Sequence, residues 1–337
     1  ASSDTGPPVC GQSEFMLQVV PTRVMLVLDK SGSMVANTWD HDGDAMTEEV
    51  TRWSSLHSTV ELVTASFDGA IEFGALLYPS LAATSTYNDF ACLVSDTPEV
   101  PPAAMNAMAI MDALPPADAI DEIQGGTPSA TAVTVALEEL TSVQEDIPLA
   151  ILFITDGEAN CRADAATLTE LFESYDESLH TVVGDAWTTL EIPTYVVGIA
   201  IRDEVLPVEV DGTPDGINPH EQLNLLAEQG GRPREGSDAL YYATNDQMEL
   251  ETALAEIVGQ QFDCTVGLDP EPEHPQFVEI EIGGMDVAHV DDCATEDGWV
   301  FTNPDGPYDS IELCGAACDL LAAEGTLQAI YACPPPE

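Results

Sequence analysis

The chain has 337 residues, of which 61 are acidic and 7 basic, giving a formal net charge of −54. A balance this acidic argues against nucleic acid and anionic membrane surfaces as partners of the bare surface. The apolar fraction of 45% is enough for a packed core, and the length predicts a core domain with a smaller companion.

The opening Ala1-Ser2-Ser3-Asp4-Thr5-Gly6-Pro7-Pro8 reads as a freshly cut mature terminus, which predicts a signal peptide already removed. Residues 14–20 read as a strand, separated by Pro21 and Thr22 from an apolar run, Val24-Met25-Leu26-Val27-Leu28. The second run has no polar alternation, which suits a strand buried on both faces of a parallel sheet. It stops at Asp29, and Ser31, Gly32 and Ser33 follow on a turn. Next come Asp40, Asp42 and Asp44, spaced like the start of a calcium loop. The EF-hand pattern then fails, because Gly43 stands at its fourth place rather than its sixth and Thr51 stands where the closing Glu belongs. A solvated loop is the first reading and a secondary calcium site the alternative.

Met46, Val50, Trp53, His57, Val60, Val63 and Phe67 recur at helical spacing and predict an amphipathic helix. Residues 70–78 read as a strand, 79–102 as a long connection, 103–114 as a Met-rich helix and 129–141 as another, with Pro128 in its first turn. The run 149–155 repeats the first strand's grammar, apolar residues ending in Asp156-Gly157. A helix over 165–179, a buried strand over 192–201 and an acidic loop over 203–216 follow. A capped helix from Asn218-Pro219 to Gln229, a short strand over 240–243 and a helix over 247–258 complete the core. Strands alternating with helices predict an α/β fold, a doubly wound, mainly parallel sheet flanked by helices.

Beyond residue 261 the pattern changes to short strands (262–268, 276–282, 299–302, 310–313 and 328–332) broken by Pro, Gly and Asp. Five of the eight cysteines lie there, and none of the eight forms a C-x-x-C pair. Disulfides in an oxidising compartment are the expectation, in a small β-rich unit stapled because its core is small. The division read from the sequence is residues 1–21 as an N-terminal segment whose strand joins the accessory unit, 22–260 as the core domain and 261–337 as the accessory domain.

Asp29-Lys30-Ser31-Gly32-Ser33 resembles the D-x-S-x-S signature of the von Willebrand factor type A domain, found also in integrin inserted domains. The resemblance covers about residues 23–259. It calls for a Thr and an Asp on two further loops, and Gly125-Gly126-Thr127-Pro128 and Thr155-Asp156-Gly157 supply both in order. It implies a complete metal-ion-dependent adhesion site. Ser31 and Ser33 would ligate through their hydroxyls, and Asp29, Thr127 and Asp156 directly or through water. Oxygen donors without Cys or His suit a hard cation, so Mg²⁺ is expected, with Ca²⁺ or Mn²⁺ as alternatives. The open position would take a carboxylate from an Asp or Glu of a protein ligand or a neighbouring subunit.

The implied function is cation-dependent adhesion by a secreted or cell-surface protein; the alternative is a structural subunit with a metal-mediated contact. Cys92 and Cys161 fall in loops expected on the metal-bearing face and are paired on that ground. Pairings among Cys10, Cys264, Cys293, Cys314, Cys318 and Cys333 stay open. Lys30, the single lysine of the chain, is read as filling a variable position of the motif, with local neutralisation of the Asp cluster or a contact with an acidic ligand as the alternative. Enzyme readings lack their signatures: there is no G-x-S-x-G elbow, no P-loop and no H-E-x-x-H. No stretch is long and apolar enough to span a membrane.

Overall fold

The computed structural model describes residues 13–18, 21–44, 46–142 and 147–332. They divide into two units, one of residues 22–65 and 71–261, the other drawn from both ends of the chain together with 66–70. The first strand, β1 (Ser13–Gln18), belongs to the second unit.

The larger unit begins with β2 (Thr22–Asp29), buried along its whole length. Next come α1 (Ser33–Ala36), the small hairpin β3 (Thr38–Trp39) and β4 (Val50–Thr51), then α2 (Arg52–Ser66), β5 (Ile71–Tyr78), β6 (Val100–Ala103) and α3 (Ala107–Ala113). α4 (Ser129–Ser142), β7 (Leu149–Thr155), α5 (Leu168–Glu173), α6 (Ser178–Leu190) and β8 (Thr194–Ile199) follow. α7 (Pro219–Gln229), β9 (Tyr242–Thr244) and α8 (Gln247–Gly259) close the unit.

Its sheet has six strands in the order β6-β5-β2-β7-β8-β9, all parallel except β6. The chain leaves β2 for β5 on one side and later returns to place β7 on the other. The order therefore reverses beside β2, and at such a switch point open α/β sheets form a crevice past the strands' carboxyl ends. The inward residues Met25, Val27, Leu76, Ile151, Phe153 and Val196 form one core cluster with the apolar stripes of α4, α6 and α7. Pro101 and Pro102 in β6 are tolerated because an edge strand has no second neighbour to satisfy.

Several boundaries differ from the sequence reading. The helix expected from Met46 starts at Arg52, and Met46 itself is exposed. Thr51 Oγ1 accepts the Ser54 N–H and begins the helix there. The single helix expected over 165–179 is two, α5 and α6. Asp176 Oδ1 accepts both the N–H and the hydroxyl of Ser178, which holds the turn between them. The helix expected over 103–114 shortens to α3, because residues 100–103 pair with β5.

The second unit contains β10 (Thr265–Gly267), β11 (Val278–Ile282), β12 (Met285–Val287), β13 (Gly298–Phe301), β14 (Ser310–Cys314), α9 (Ala316–Glu324) and β15 (Thr326–Tyr331). Two sheets form, β1-β15-β11-β12 and β10-β14-β13. β1 runs antiparallel to β15, Phe15 opposite Ala329. Ile280, Ile282, Trp299, Ile311, Leu321 and Ala329 share its core. Disulfides join Cys264 to Cys318 and Cys293 to Cys314; Cys10 and Cys333 lie outside the described residues. The helix α9 lies between two of the expected strands, in a stretch to which the sequence reading assigned no element. Its Ala- and Leu-rich sequence favours a helix, and Gly325, at φ 67°, ends it in the left-handed conformation.

Candidate functional site

β2 and β7 are neighbours, and each gives out in an Asp-bearing turn at the same edge of the sheet. The turn after β2 carries Ser31 and Ser33, whose hydroxyl oxygens are 2.9 Å apart. Ser33 Oγ donates to Asp156 Oδ1 at 2.6 Å. Asp29 lies one layer deeper, fully buried. Its Oδ1 accepts the Ser31 N–H at 2.8 Å and its Oδ2 the Thr155 hydroxyl at 2.7 Å. Asp29 thus shapes the turn from behind, while Ser31, Ser33, Thr127 and Asp156 line a cavity of about 990 Å³.

Thr127 is brought to this cavity by a gripped loop. Gly126 N–H donates to Ala91 O at 3.0 Å, and Thr127 N–H to Asn160 Oδ1 at 2.7 Å. Asn160 N–H returns a bond to Thr127 O. Ala91 and Asn160 each adjoin a cysteine, and those two, Cys92 and Cys161, are joined by a disulfide. The bridge therefore ties together the two segments that hold the Thr127 loop. Gly125 needs to be glycine here: its φ is +106°, and a Cβ would meet Ala91 O at 2.7 Å.

The donor set fits a small hard cation. Neighbouring ligands on an octahedron of 2.0–2.1 Å bonds are about 2.9 Å apart, and the two serine hydroxyls already stand at that separation. Burial pushes the Asp29 carboxyl up to about 7, with the charge of Asp156 adding to it. Burial also raises Asp156, opposed by Arg52, and lifts Glu158 on the cavity wall to about 7.

Asp40, Asp42 and Asp44 share one exposed loop. Each is occupied with its own turn: Asp40 accepts the Gly43 N–H, Asp42 the Asp44 N–H and the Thr47 hydroxyl, and Asp44 the Met46 N–H. Among the described residues no three His, Cys, Asp or Glu side chains converge as a metal cluster.

Lys30 corrects its reading as an unconstrained position. Its side chain is wholly buried, and Nζ donates to Glu122 O at 2.9 Å and Gln124 O at 3.3 Å, holding the segment that leads to Thr127. Burial lowers its ammonium to about 8, opposed by the charges of Asp29 and Glu99.

Two residues escaped the sequence reading altogether. Asn160 has no signal in the sequence beyond its place beside Cys161. Arg52 places Nη1 2.7 Å from Asp156 Oδ2. Its one sequence cue is scarcity, since no other basic residue occurs between Lys30 and Arg162.

No protein-family model and no curated protein sequence matches the chain. Among solved structures, the pilus adhesin SpaC from Lactobacillus rhamnosus GG superposes with a TM-score of 0.50 at 15% identity, over 96% of this chain and 41% of SpaC. The chain thus spans about two fifths of SpaC. The PilB minor pilin from Streptococcus sanguinis gives 0.44 at 15% identity, over 72% of this chain and 61% of PilB. The von Willebrand factor domain of the type V pilus tip protein Mfa5 from Porphyromonas gingivalis gives 0.43 at 10%, over 72% of this chain and 95% of that domain. At such identities a likeness concerns the fold alone. What the chain shares with SpaC is a fold, here a mixed α/β unit built on a mostly parallel six-stranded sheet.

Proposed function

We propose that the chain is an extracellular protein-binding module whose ligand is held through a divalent cation at Ser31, Ser33, Asp29, Thr127 and Asp156. The observation that carries this reading is the convergence of two serine hydroxyls and one buried carboxylate at the floor of an open cavity, at the switch point of the sheet. Mg²⁺ is the expected ion; Ca²⁺ or Mn²⁺ would use the same oxygens. Ser31 and Ser33 would be direct ligands, and Asp156 and Thr127 would complete the shell. Asp29, hydrogen-bonded to the turn itself, would act through Ser31 or through water.

The bound cation supplies a positive centre that neutral hydroxyls leave incompletely neutralised. An Asp or Glu carboxylate of a protein ligand is the group suited to complete it. In a chain of net charge −54, such a bridge also offsets the repulsion between two acidic partners. Three disulfides among the described residues support an oxidising, secreted or surface setting. SpaC, with which the fold is shared, is described as a pilus adhesin, which agrees with adhesion or surface assembly.

The test uses the full chain with Mn²⁺ and acetate as the minimal carboxylate. Enhanced relaxation of the acetate methyl protons is expected for the native chain and is lost in Asp156→Ala. Equal enhancement in both would remove the site from the account. Sedimentation in Mg²⁺ and in chelator separates the two roles. A monomer in both is the result for adhesion to a foreign ligand, and an oligomer that dissolves in chelator the result for a structural subunit.

A further inference from the structure

The chain has seven basic residues, and one of them is committed to the candidate metal site. Arg52 opens α2 and sends its side chain to Asp156, where Nη1 stands 2.7 Å from Oδ2. The other oxygen of that carboxylate, Oδ1, accepts the Ser33 hydroxyl. Asp156 is thus shared: one oxygen faces the serines, the other a guanidinium. The Asp156 side chain is fully buried and that of Arg52 is 14% exposed, so the pair is poorly screened by water.

A second observation separates this arginine from an ordinary structural ion pair. Arg52 Nε is buried with no hydrogen-bond partner among the described residues. A guanidinium built in for stability places its donors on acceptors; this one holds Asp156 through Nη1 while Nε goes unmet. The other cations nearby turn elsewhere: Lys30 Nζ donates to the Glu122 and Gln124 carbonyls, and Arg202, also on the cavity wall, stands 3.6 Å from Glu204 Oε1. Arg52 is therefore the group that balances Asp156, and it does so from the wall of the open cavity.

We propose that Arg52 is a resident counter-cation of this site, neutralising Asp156 when no divalent ion is bound and competing with the ion for that carboxylate. The proposal rests on the metal-binding reading above. Whether the guanidinium moves aside or stays on Oδ2, a unit positive charge beside the ion weakens its binding. By reciprocity the ion loosens the hold of Arg52 on Asp156 by the same factor. The device keeps the fold intact without metal and keeps bound metal exchangeable.

The test measures Mg²⁺ binding by calorimetry, and melting temperature with and without Mg²⁺, on the full-length native chain and on Arg52→Gln, Arg52→Met and Arg52→Lys. The two neutral variants are expected to bind Mg²⁺ about tenfold tighter, the size of a modest coupling between charges. They are expected to melt lower than the native chain without metal and to gain more from Mg²⁺. Arg52→Lys, which keeps the charge, stays close to native affinity. Equal or weaker Mg²⁺ binding by folded neutral variants, with the native chain binding, overturns the role of Arg52 and leaves the metal site standing. Binding by the neutral variants alone supports it. Absence of Mg²⁺ binding in every form overturns the metal-binding reading and this inference with it.

Discussion

Ser33 Oγ and Asp156 Oδ1 are 2.6 Å apart although 123 positions separate them in sequence. The contact joins the turns after the adjacent strands β2 and β7, and it stands on the register of those strands, Leu28 opposite Ile154. The site is therefore a property of the sheet rather than of either loop. Ser33→Ala removes one hydroxyl from an already folded scaffold. It is expected to weaken Mg²⁺ binding at least tenfold, roughly 1.4 kcal/mol, while leaving the melting temperature of the metal-free chain within a few degrees of native. Calorimetry paired with thermal melting checks both halves, and unchanged affinity would discard Ser33 as a ligand.

Lys30 is a support of the Thr127 loop. Lys30→Ala leaves a cavity and removes the donor from two carbonyls. The expected loss is about 2–4 kcal/mol in urea unfolding. A variant as stable as the native chain would show that the loop holds itself.

The disulfide between Cys92 and Cys161 closes a separation of 69 residues. The chain-entropy argument assigns such a loop about 4 kcal/mol. Cys92→Ser with Cys161→Ser is expected to lose stability of that order. It should also weaken Mg²⁺ binding, because Ala91 and Asn160 grip Gly126 and Thr127 from the two bridged segments. Stability lost with metal affinity intact would confine the bridge to a structural role.

The strands that carry the site were legible because doubly buried strands appear as unbroken apolar runs. Val24–Leu28 and Ala150–Ile154 are both such runs, each ending at an Asp turn. The oxygens that converge on the cavity follow from those two endings. What stayed hidden depends on reach or on local capping. Arg52 arrives at Asp156 across 104 positions by side-chain length alone. The break between α5 and α6 is set by one carboxylate, Asp176, bonding Ser178. α9 went unassigned because it is short and lies in a region whose cysteines suggested a stapled β-rich unit. Lys30 looked variable because burial of a lysine has no mark in the sequence.

Gly125 tests the loop geometry directly. Gly125→Ala forces a side chain into a backbone at φ +106° and against Ala91 O and Pro79. A loss of at least about 1–2 kcal/mol is expected in thermal or urea unfolding, the cost of forcing a side chain into a left-handed conformation. Mg²⁺ affinity should fall with it. Native-like behaviour in both would mean that the loop rearranges freely around residue 125.

Self-repulsion should be visible in salt. With 61 acidic against 7 basic residues, screening relieves more than it removes. The Debye length shrinks from about 10 Å at 0.1 M to about 3 Å at 1 M. The melting temperature of the metal-free chain is expected to rise across that range of NaCl. A fall would mean that its few ion pairs outweigh the repulsion.

Calorimetric titration of Mg²⁺ decides whether the oxygens at the ends of β2 and β7 hold a divalent cation. The titration is made into the full chain and into the double variant Ser33→Ala with Asp156→Ala. Saturable binding is expected in the native chain and its loss in the double variant. Binding that survives both substitutions would place the ion elsewhere on this acidic surface and contradict that assignment.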